Sequence, residues 1–258
     1  MPEIQRRGRK LAYGVEPPVL DASSLSLVFV HGSGGDREDW RAQLEGLSGV
    51  ANIIAVELPG HGASDSPNGS SVAAHAECVT DLVEALGLKK VMVVGCSLGS
   101  AITLWLALNP KPWLVAIGLV GAGARLRVHP QFLEGILNNR DQAVDALTDF
   151  CLSPATGGVI RAGLREKYAK VPPEVIHSDL SACNEFDVIG RLGEIRLPSW
   201  IIVGQDDKLT PMKYAKFLNE GIKGSTMEIV PDAGHLVMME KPEEFNRSLR
   251  QFLEEISL

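Results

Sequence analysis

The sequence predicts an α/β fold: a mostly parallel central sheet flanked by helices, with an inserted helical segment. Three observations predict it. Short apolar runs alternate with longer amphipathic ones along the chain. Several of the apolar runs are almost continuously hydrophobic, as parallel strands buried on both faces must be. The rhythm then breaks once, for about eighty residues between Val120 and Ser199, in a stretch rich in helical patterns.

The elements follow in order. Strands are expected at "LSLVFV" (25–30), "NIIAV" (52–56), "KVMVVG" (90–95), "LVAIGLV" (114–120), "SWIIVG" (199–204) and "TMEIVP" (226–231). Helices are expected at 36–47, which opens on the acidic cap candidate Asp36, and at 70–88, which opens on serines and stops near Gly87. Further helices are expected at 98–108, stopped by Asn109-Pro110, and at 211–222 and 241–256. The long break contains "PQFLEGILNN", "RDQAVDALTDFCL" and "VIRAGLREKYAK" but no convincing strand. It reads as a helical subdomain over 123–195, inserted into a core formed by 1–122 and 196–258.

Composition narrows the function classes. The 258 residues suffice for one large domain with a buried core. A net charge of −7 gives no global attraction to nucleic acid or anionic membrane. The basic run "RRGRK" (6–10) reads as a solvated N-terminal face. No apolar run reaches the length of a membrane span, and the N-terminal residues lack the apolar stretch of a signal peptide. Cys78, Cys96, Cys151 and Cys183 lack metal-site spacing or a disulfide pattern. The expectation is a cytoplasmic protein with free thiols, monomeric or homodimeric, with no metal and no cofactor.

The chemistry centres on "VVGCSLGSA". Gly-x-Ser-x-Gly here follows a buried strand and opens a helix, the setting of a nucleophile elbow. Such a turn strains the backbone and excludes bulk two residues to either side. Gly95 and Gly99 hold those positions around Ser97, whereas Cys96 would have Val94 and Leu98. Register therefore selects Ser97 over Cys96, and over a reading in which Ser97 merely caps a helix. A serine hydroxyl needs a base and a group that orients the base. Of six histidines, His235 alone follows the last strand, at the carboxyl edge that presents Ser97. His75 lies on an expected amphipathic helix, and His129 and His177 lie in the insertion. The acid comes from "IIVGQDDKLTP", where Asp206 and Asp207 are adjacent and only one can face the imidazole. An oxyanion needs donors. Leu98 N–H is one, and the glycine-rich loop "HGSGGD" supplies the other. That loop has neither a P-loop lysine nor GxGxxG spacing, which argues against phosphate binding.

Taken together, "VFVHGSGGD", "VELPGHGASD", "VVGCSLGSA", "IIVGQDDKLTP" and "PDAGHLVMMEKPEEF" resemble, in order, the motifs of the α/β-hydrolase superfamily over nearly the whole chain. The resemblance implies the α/β-hydrolase fold with a helical cap. Its Gly-x-x-Asp-x-x-x-Pro pattern fits Gly204, Asp207 and Pro211, so it implies Asp207 as the acid and Asp206 as the fallback. It implies Ser33 N–H as the second oxyanion donor, with Gly34 the neighbouring alternative. Relatives that use an elbow aspartate, the haloalkane dehalogenases and epoxide hydrolases, are set aside by Ser97. Cys96 replaces a larger residue in many relatives and reads as packing.

The chain is similar to carboxylesterases, enol-lactonases and meta-cleavage hydrolases. The implied function is cleavage of a small-molecule carboxylic ester by Ser97, His235 and Asp207 through an acyl-enzyme. The alternatives are C–C or enol-lactone hydrolysis by the same triad, and a ligand receptor that keeps the fold. Arg125, Arg127, Arg161 and Arg165 could hold a carboxylated substrate, but read first as exposed arginines of the cap surface. Leu126, Phe132, Ile136 and Leu137 are candidates to line the substrate pocket, with Leu133, Phe150 and Leu152 beside them, and are equally what a small helical layer needs for its own core.

Overall fold

The structure, a computed structural model, describes residues 2–66 and 71–256. The chain opens with a hairpin of β1 (Glu3–Arg6) and β2 (Arg9–Glu16), turned by Arg7 and Gly8 at φ 49° and 73°. Then come β3 (Leu25–Val30), a 3-10 turn (Arg37–Trp40), α1 (Arg41–Gly46), β4 (Asn52–Val56) and α2 (Val72–Ala85). Next are β5 (Lys90–Cys96), α3 (Leu98–Leu108) and β6 (Leu114–Val120). Four helices occupy the insertion: α4 (Pro130–Asn138), α5 (Arg140–Cys151), α6 (Gly158–Lys170) and α7 (Pro173–Glu185). The chain closes with a 3-10 turn (Ile189–Glu194), β7 (Ser199–Gly204), α8 (Met212–Gly221), β8 (Thr226–Val230), α9 (Val237–Glu240) and α10 (Pro242–Ile256).

The eight strands form one sheet in the order β1-β2-β4-β3-β5-β6-β7-β8. β1 and β2 pair antiparallel, as do β2 and β4; all later pairs are parallel. Period-two alternation divides the core. Val28 and Val30 of β3 join Val91 and Val93 of β5 on one face, under α2 and α3. Leu27 and Phe29 join Met92 and Val94 on the other, under α1 and α10. Trp40, Phe29, Trp200 and Phe245 fill this second layer, with Trp200 edge-on to Phe245 at 5.1 Å. Such a pair adds about 0.5–1.5 kcal/mol beyond its area.

Two connections leave the sheet in opposite directions. The chain after β3 packs Trp40 and Leu47 on one face, and α3 after β5 packs Leu98 and Ile102 on the other. β3 and β5 are neighbours, so their carboxyl ends border the crevice where such sheets bind ligands. The loop 31–36 and Ser97 therefore start side by side.

Residues 6–10 form a solvated basic face, as expected; they span the β1–β2 hairpin, and the exposed Arg6 and Arg7 also pair with Asp81, Glu84 and Glu77 of α2. The hairpin is harder to read from the sequence because β1 is four mostly polar residues and the apolar stretch of β2, Leu11–Val15, is interrupted by Gly14. The start expected for α2 at Ser70 lies outside the described residues; Ser71 caps the helix through Ala74 N–H. No helix among the described residues is long and apolar enough to cross a membrane.

Candidate active site

The β5–α3 junction has no loop residue to spare. Ser97 bridges strand and helix at φ 55°, ψ −114°, a conformation that L-residues avoid. A Cβ on Gly95 would stand 1.9 Å from the Gly99 carbonyl oxygen, and one on Gly99 would stand 2.2 Å from that of Val30. Only glycine at both positions lets the helix start against the ends of β3 and β5. The turn is held by Ser97 N–H to Val120 (3.1 Å) and by Ser100 N–H to the Ser97 carbonyl (2.8 Å). Leu98 begins the helix, so its N–H has no intrahelical acceptor. Cys96 points away into the second core layer, fully buried, with its thiol pushed well above the usual range by that burial. A buried neutral thiol is a packing group.

His235 lies in the β8–α9 loop. Its backbone N–H donates to the Cys151 carbonyl at 2.7 Å, and Gly121 leaves room for the ring, where a Cβ would come within 2.8 Å of Cε1. The ring Nδ1 is 2.8 Å from Asp207 Oδ2. Nε2 is buried and has no hydrogen-bond partner among the described residues. Asp207 is itself fixed: Oδ1 accepts from Leu209 N–H (2.9 Å) and Thr210 N–H (2.8 Å), and Oδ2 from Thr210 Oγ1 (2.7 Å). Asp206 diverges and accepts from Ser153 Oγ at 2.6 Å. Burial opposes charge on both partners, but each outweighs it for the other. Asp207 is held below the usual carboxylate range, and His235 above the usual imidazole value. With Nδ1–H given to Asp207, the neutral ring presents a lone pair at Nε2.

The loop after β3 lies over the elbow. A Cβ on Gly32 would be 3.2 Å from Ser97 Cβ. The Gly32 carbonyl accepts from Gly35 N–H at 3.1 Å and lies 2.7 Å from His31 Nδ1. His31 Nε2 accepts from Leu58 N–H at 3.0 Å, so Nδ1 carries the proton of a neutral ring. Burial first, then the neighbouring His61, lowers the His31 pKa to about 3. Two donors on the Gly32 carbonyl orient its peptide, and the Ser33 N–H of that peptide points the opposite way. The Gly34 N–H is already engaged, by Asp179 Oδ2 at 3.4 Å.

Two compartments meet at Ser33 and Ser97. The larger, about 210 Å³, is walled by apolar side chains such as Leu126, Phe132, Leu147 and Phe150, with Arg127 and Lys208 among its lining. The smaller, about 50 Å³, lies beside His235 and is walled by Cys151, Tyr168, Ile176 and Leu236. Of the residues expected at the pocket, Leu126, Phe132 and Phe150 line the larger compartment. Ile136 and Leu137 do not. Ile136 shares the buried face of α4 with Phe132, one turn on, and packs in the core; Leu137 is 49% exposed on the opposite face. Leu133 and Leu152 pack into the core layer without lining either compartment. Arg127 lines the cavity, but Arg125, Arg161 and Arg165 pair with Asp187, Asp149 and Asp145.

Comparison with known proteins gives the lineage. The profile of the alpha/beta hydrolase family matches residues 27–248. The chain belongs to that family. It is 25% identical over 263 residues to 3-oxoadipate enol-lactonase 1 of Acinetobacter baylyi, covering 97% of this chain and 96% of that protein. A thermophilic esterase of solved structure superposes with a TM-score of 0.88 at 34% identity, over 98% of this chain and 97% of the esterase. The enol-lactonase of Burkholderia xenovorans superposes at 0.90 with 21% identity, covering 98% and 100% of the two chains, a likeness of fold.

Within this family frame several supporting residues escaped the sequence reading. Thr210 bridges the Asp207–His235 pair. Glu240 accepts from Gly234 and Leu236 N–H and from Ser153 N–H, tying the histidine loop to the cap. Asp179 of α7 sits 3.1 Å from His61 Nε2 and 3.7 Å from His75 Nε2, all buried. The loop motif "PGHG" was visible, but nothing near it in sequence marks Asp179 as its partner. Among the described residues, no three His, Cys, Asp or Glu side chains form a cluster fit for a metal ion.

Proposed function

We propose that this family member is a carboxylesterase-like serine hydrolase in which Ser97 is the nucleophile, His235 the base and Asp207 the group that orients it. One observation carries the reading. The strained Ser97 shares a compartment with an imidazole whose Nδ1 is bound by a buried carboxylate and whose Nε2 has no partner among the described residues. His235 Nε2 takes the Ser97 proton as Oγ attacks the ester carbonyl. The oxyanion rests on the Ser33 and Leu98 amides. His235 then protonates the departing alcohol, and water repeats the sequence to release the acid. These steps use the chain's own groups and water.

The pH profile tests the assignment of the base. His235 works as a base only when neutral, and Asp207 holds its pKa above about 6.5. Activity is therefore lost as pH falls through that raised value. The expected acid limb of kcat/KM for a p-nitrophenyl ester has its midpoint above 6.5; a midpoint below 6 contradicts the pairing. Stability follows a related sign. The His235 contribution is fully present below about 6.5 and is lost as pH rises through its folded value. The Asp207 contribution is present above about 3.8 and is lost as pH falls through its lowered folded value.

A second reading, opening of a lactone by the same residues, is supported by the similarity to 3-oxoadipate enol-lactonase 1 and by Arg127 and Lys208 on the cavity wall. Rates on neutral esters, carboxylated esters and lactones separate the two readings. A strong preference for carboxylated lactones, lost in Arg127→Ala, favours the second.

A further inference from the structure

The loop 31–36 is gripped from the cap at two points, by side chains of opposite charge. At one point, Asp179 of α7 accepts from Gly34 N–H at 3.4 Å and pairs with His61 at 3.1 Å. At the other, Lys167 of α6 donates to Asp36 Oδ1 at 2.8 Å and also to Asp39. Asp179 is 1% exposed, and the Lys167 side chain 18%. Between these points the cap presses on the loop. Gly34 has φ 69°, and a Cβ there would meet Tyr168 at 2.9 Å and Ile176 at 3.5 Å.

The geometry matters because consecutive peptides share an α-carbon, whose φ and ψ set one plane against the next. The Ser33 N–H belongs to the Gly32–Ser33 peptide, whose carbonyl is fixed from the core by His31 and Gly35. The next peptide, Ser33–Gly34, is fixed from the cap, through the Gly34 N–H held by Asp179. The loop ends at Asp36, which caps the following turn through Glu38 N–H at 2.8 Å while holding Lys167. We propose that Asp179 and Lys167 are positioning residues: the two cap charges clamp the loop 31–36 and so aim the Ser33 N–H at the oxyanion.

His61 suits the role of counter-charge. Its Nδ1 lies 3.2 Å from the Pro59 carbonyl while Nε2 faces Asp179, so acceptors face both ring nitrogens. Burial disfavours the cation, yet the Asp179 charge outweighs it and raises the His61 pKa; Asp179 is correspondingly held well below the carboxylate range. The cap is thus part of the oxyanion site through charges that lie outside the proposed triad. Misaiming a donor by about 1 Å costs on the order of 10²-fold in rate.

This inference rests on the reading of Ser33 N–H as an oxyanion donor, and the experiment separates the two. Asp179→Asn and Lys167→Met are compared with Ser97→Ala and with wild type. The expected result is a kcat lower by about 10–100-fold, with KM within about 3-fold. Affinity for an aryl trifluoromethyl ketone, which forms an oxyanion on binding, should fall by a similar factor. Lys167→Arg should restore most of the loss. A merely structural role would lower Tm and leave kcat of the folded fraction unchanged, and that overturns the proposal. If the variants do not fold, amide exchange of wild-type Gly34 decides: strong protection supports the clamp, and exchange at open-loop rates overturns it. If Ser97→Ala keeps its turnover, the serine reading itself fails. If Ser97→Ala is inactive while Asp179→Asn and Lys167→Met keep wild-type kcat, the clamp alone fails.

Discussion

Replacing Ser97 with alanine is expected to lower kcat/KM on a p-nitrophenyl ester by about 10⁴-fold or more, with the fold retained. The expected loss is large because the proposed triad would act as a unit. On that proposal, removing Oγ leaves the His235–Asp207 pair no nucleophile to activate, and only binding and the proposed oxyanion donors remain. The structure adds a signature that a simple loss of activity lacks. Ser97 holds φ 55°, ψ −114°, a conformation that costs an L-residue on the order of 1–3 kcal/mol. Ser97→Gly should therefore abolish turnover while raising stability, by roughly 0.5–1 kcal/mol or more, whereas Ser97→Ala keeps the strain. Urea titration of the three proteins, alongside their rates, checks both halves. A glycine variant no more stable than the alanine variant would show that the elbow stores no strain.

The second large effect concerns the fold around the elbow. Gly95→Ala places a methyl 1.9 Å from the Gly99 carbonyl oxygen, and Gly99→Ala places one 2.2 Å from that of Val30. Neither clash is with a side chain that can turn away; both are with the backbone at the junction of β3, β5 and α3. Each substitution is expected to cost about 3 kcal/mol or more and to displace Ser97. Gly157→Ala is the control, because nothing among the described residues lies within 4 Å of a Cβ at that position. Thermal unfolding should show Tm depressed by several degrees for Gly95→Ala and Gly99→Ala, and nearly unchanged for Gly157→Ala. Wild-type stability in Gly95→Ala would contradict the steric account of the Gly-x-Ser-x-Gly spacing.

The features legible in the sequence were those with local periodicity or local sterics. Buried parallel strands declare themselves as runs such as "VMVVG", and the elbow glycines follow from a clash within five residues. Asp206 and Asp207 could not be told apart by chemistry alone, because both follow the same strand. In the structure Asp206 turns to Ser153 and Asp207 to His235. Leu137 was placed at the pocket by its hydrophobicity, but α4 buries the stripe through Phe132 and Ile136 and turns Leu137 outward. The β1–β2 hairpin is less legible because β1 is four mostly polar residues and Gly14 interrupts the apolar stretch of β2. Least legible were the cap charges: Lys167 and Asp36 are 131 residues apart, and Gly34 and Asp179 are 145. Such pairs leave no period in the sequence and exist only once the cap has folded over the loop.

The central claim is that an acyl group passes through Ser97. The direct measurement is intact-protein and peptide mass spectrometry after acid quench of the protein with a slowly deacylating p-nitrophenyl ester. The predicted result is one acyl adduct, on the peptide containing Cys96 and Ser97, with fragmentation placing it on Ser97 and Ser97→Ala unlabelled. An adduct on Cys96, or full turnover by Ser97→Ala, would contradict it.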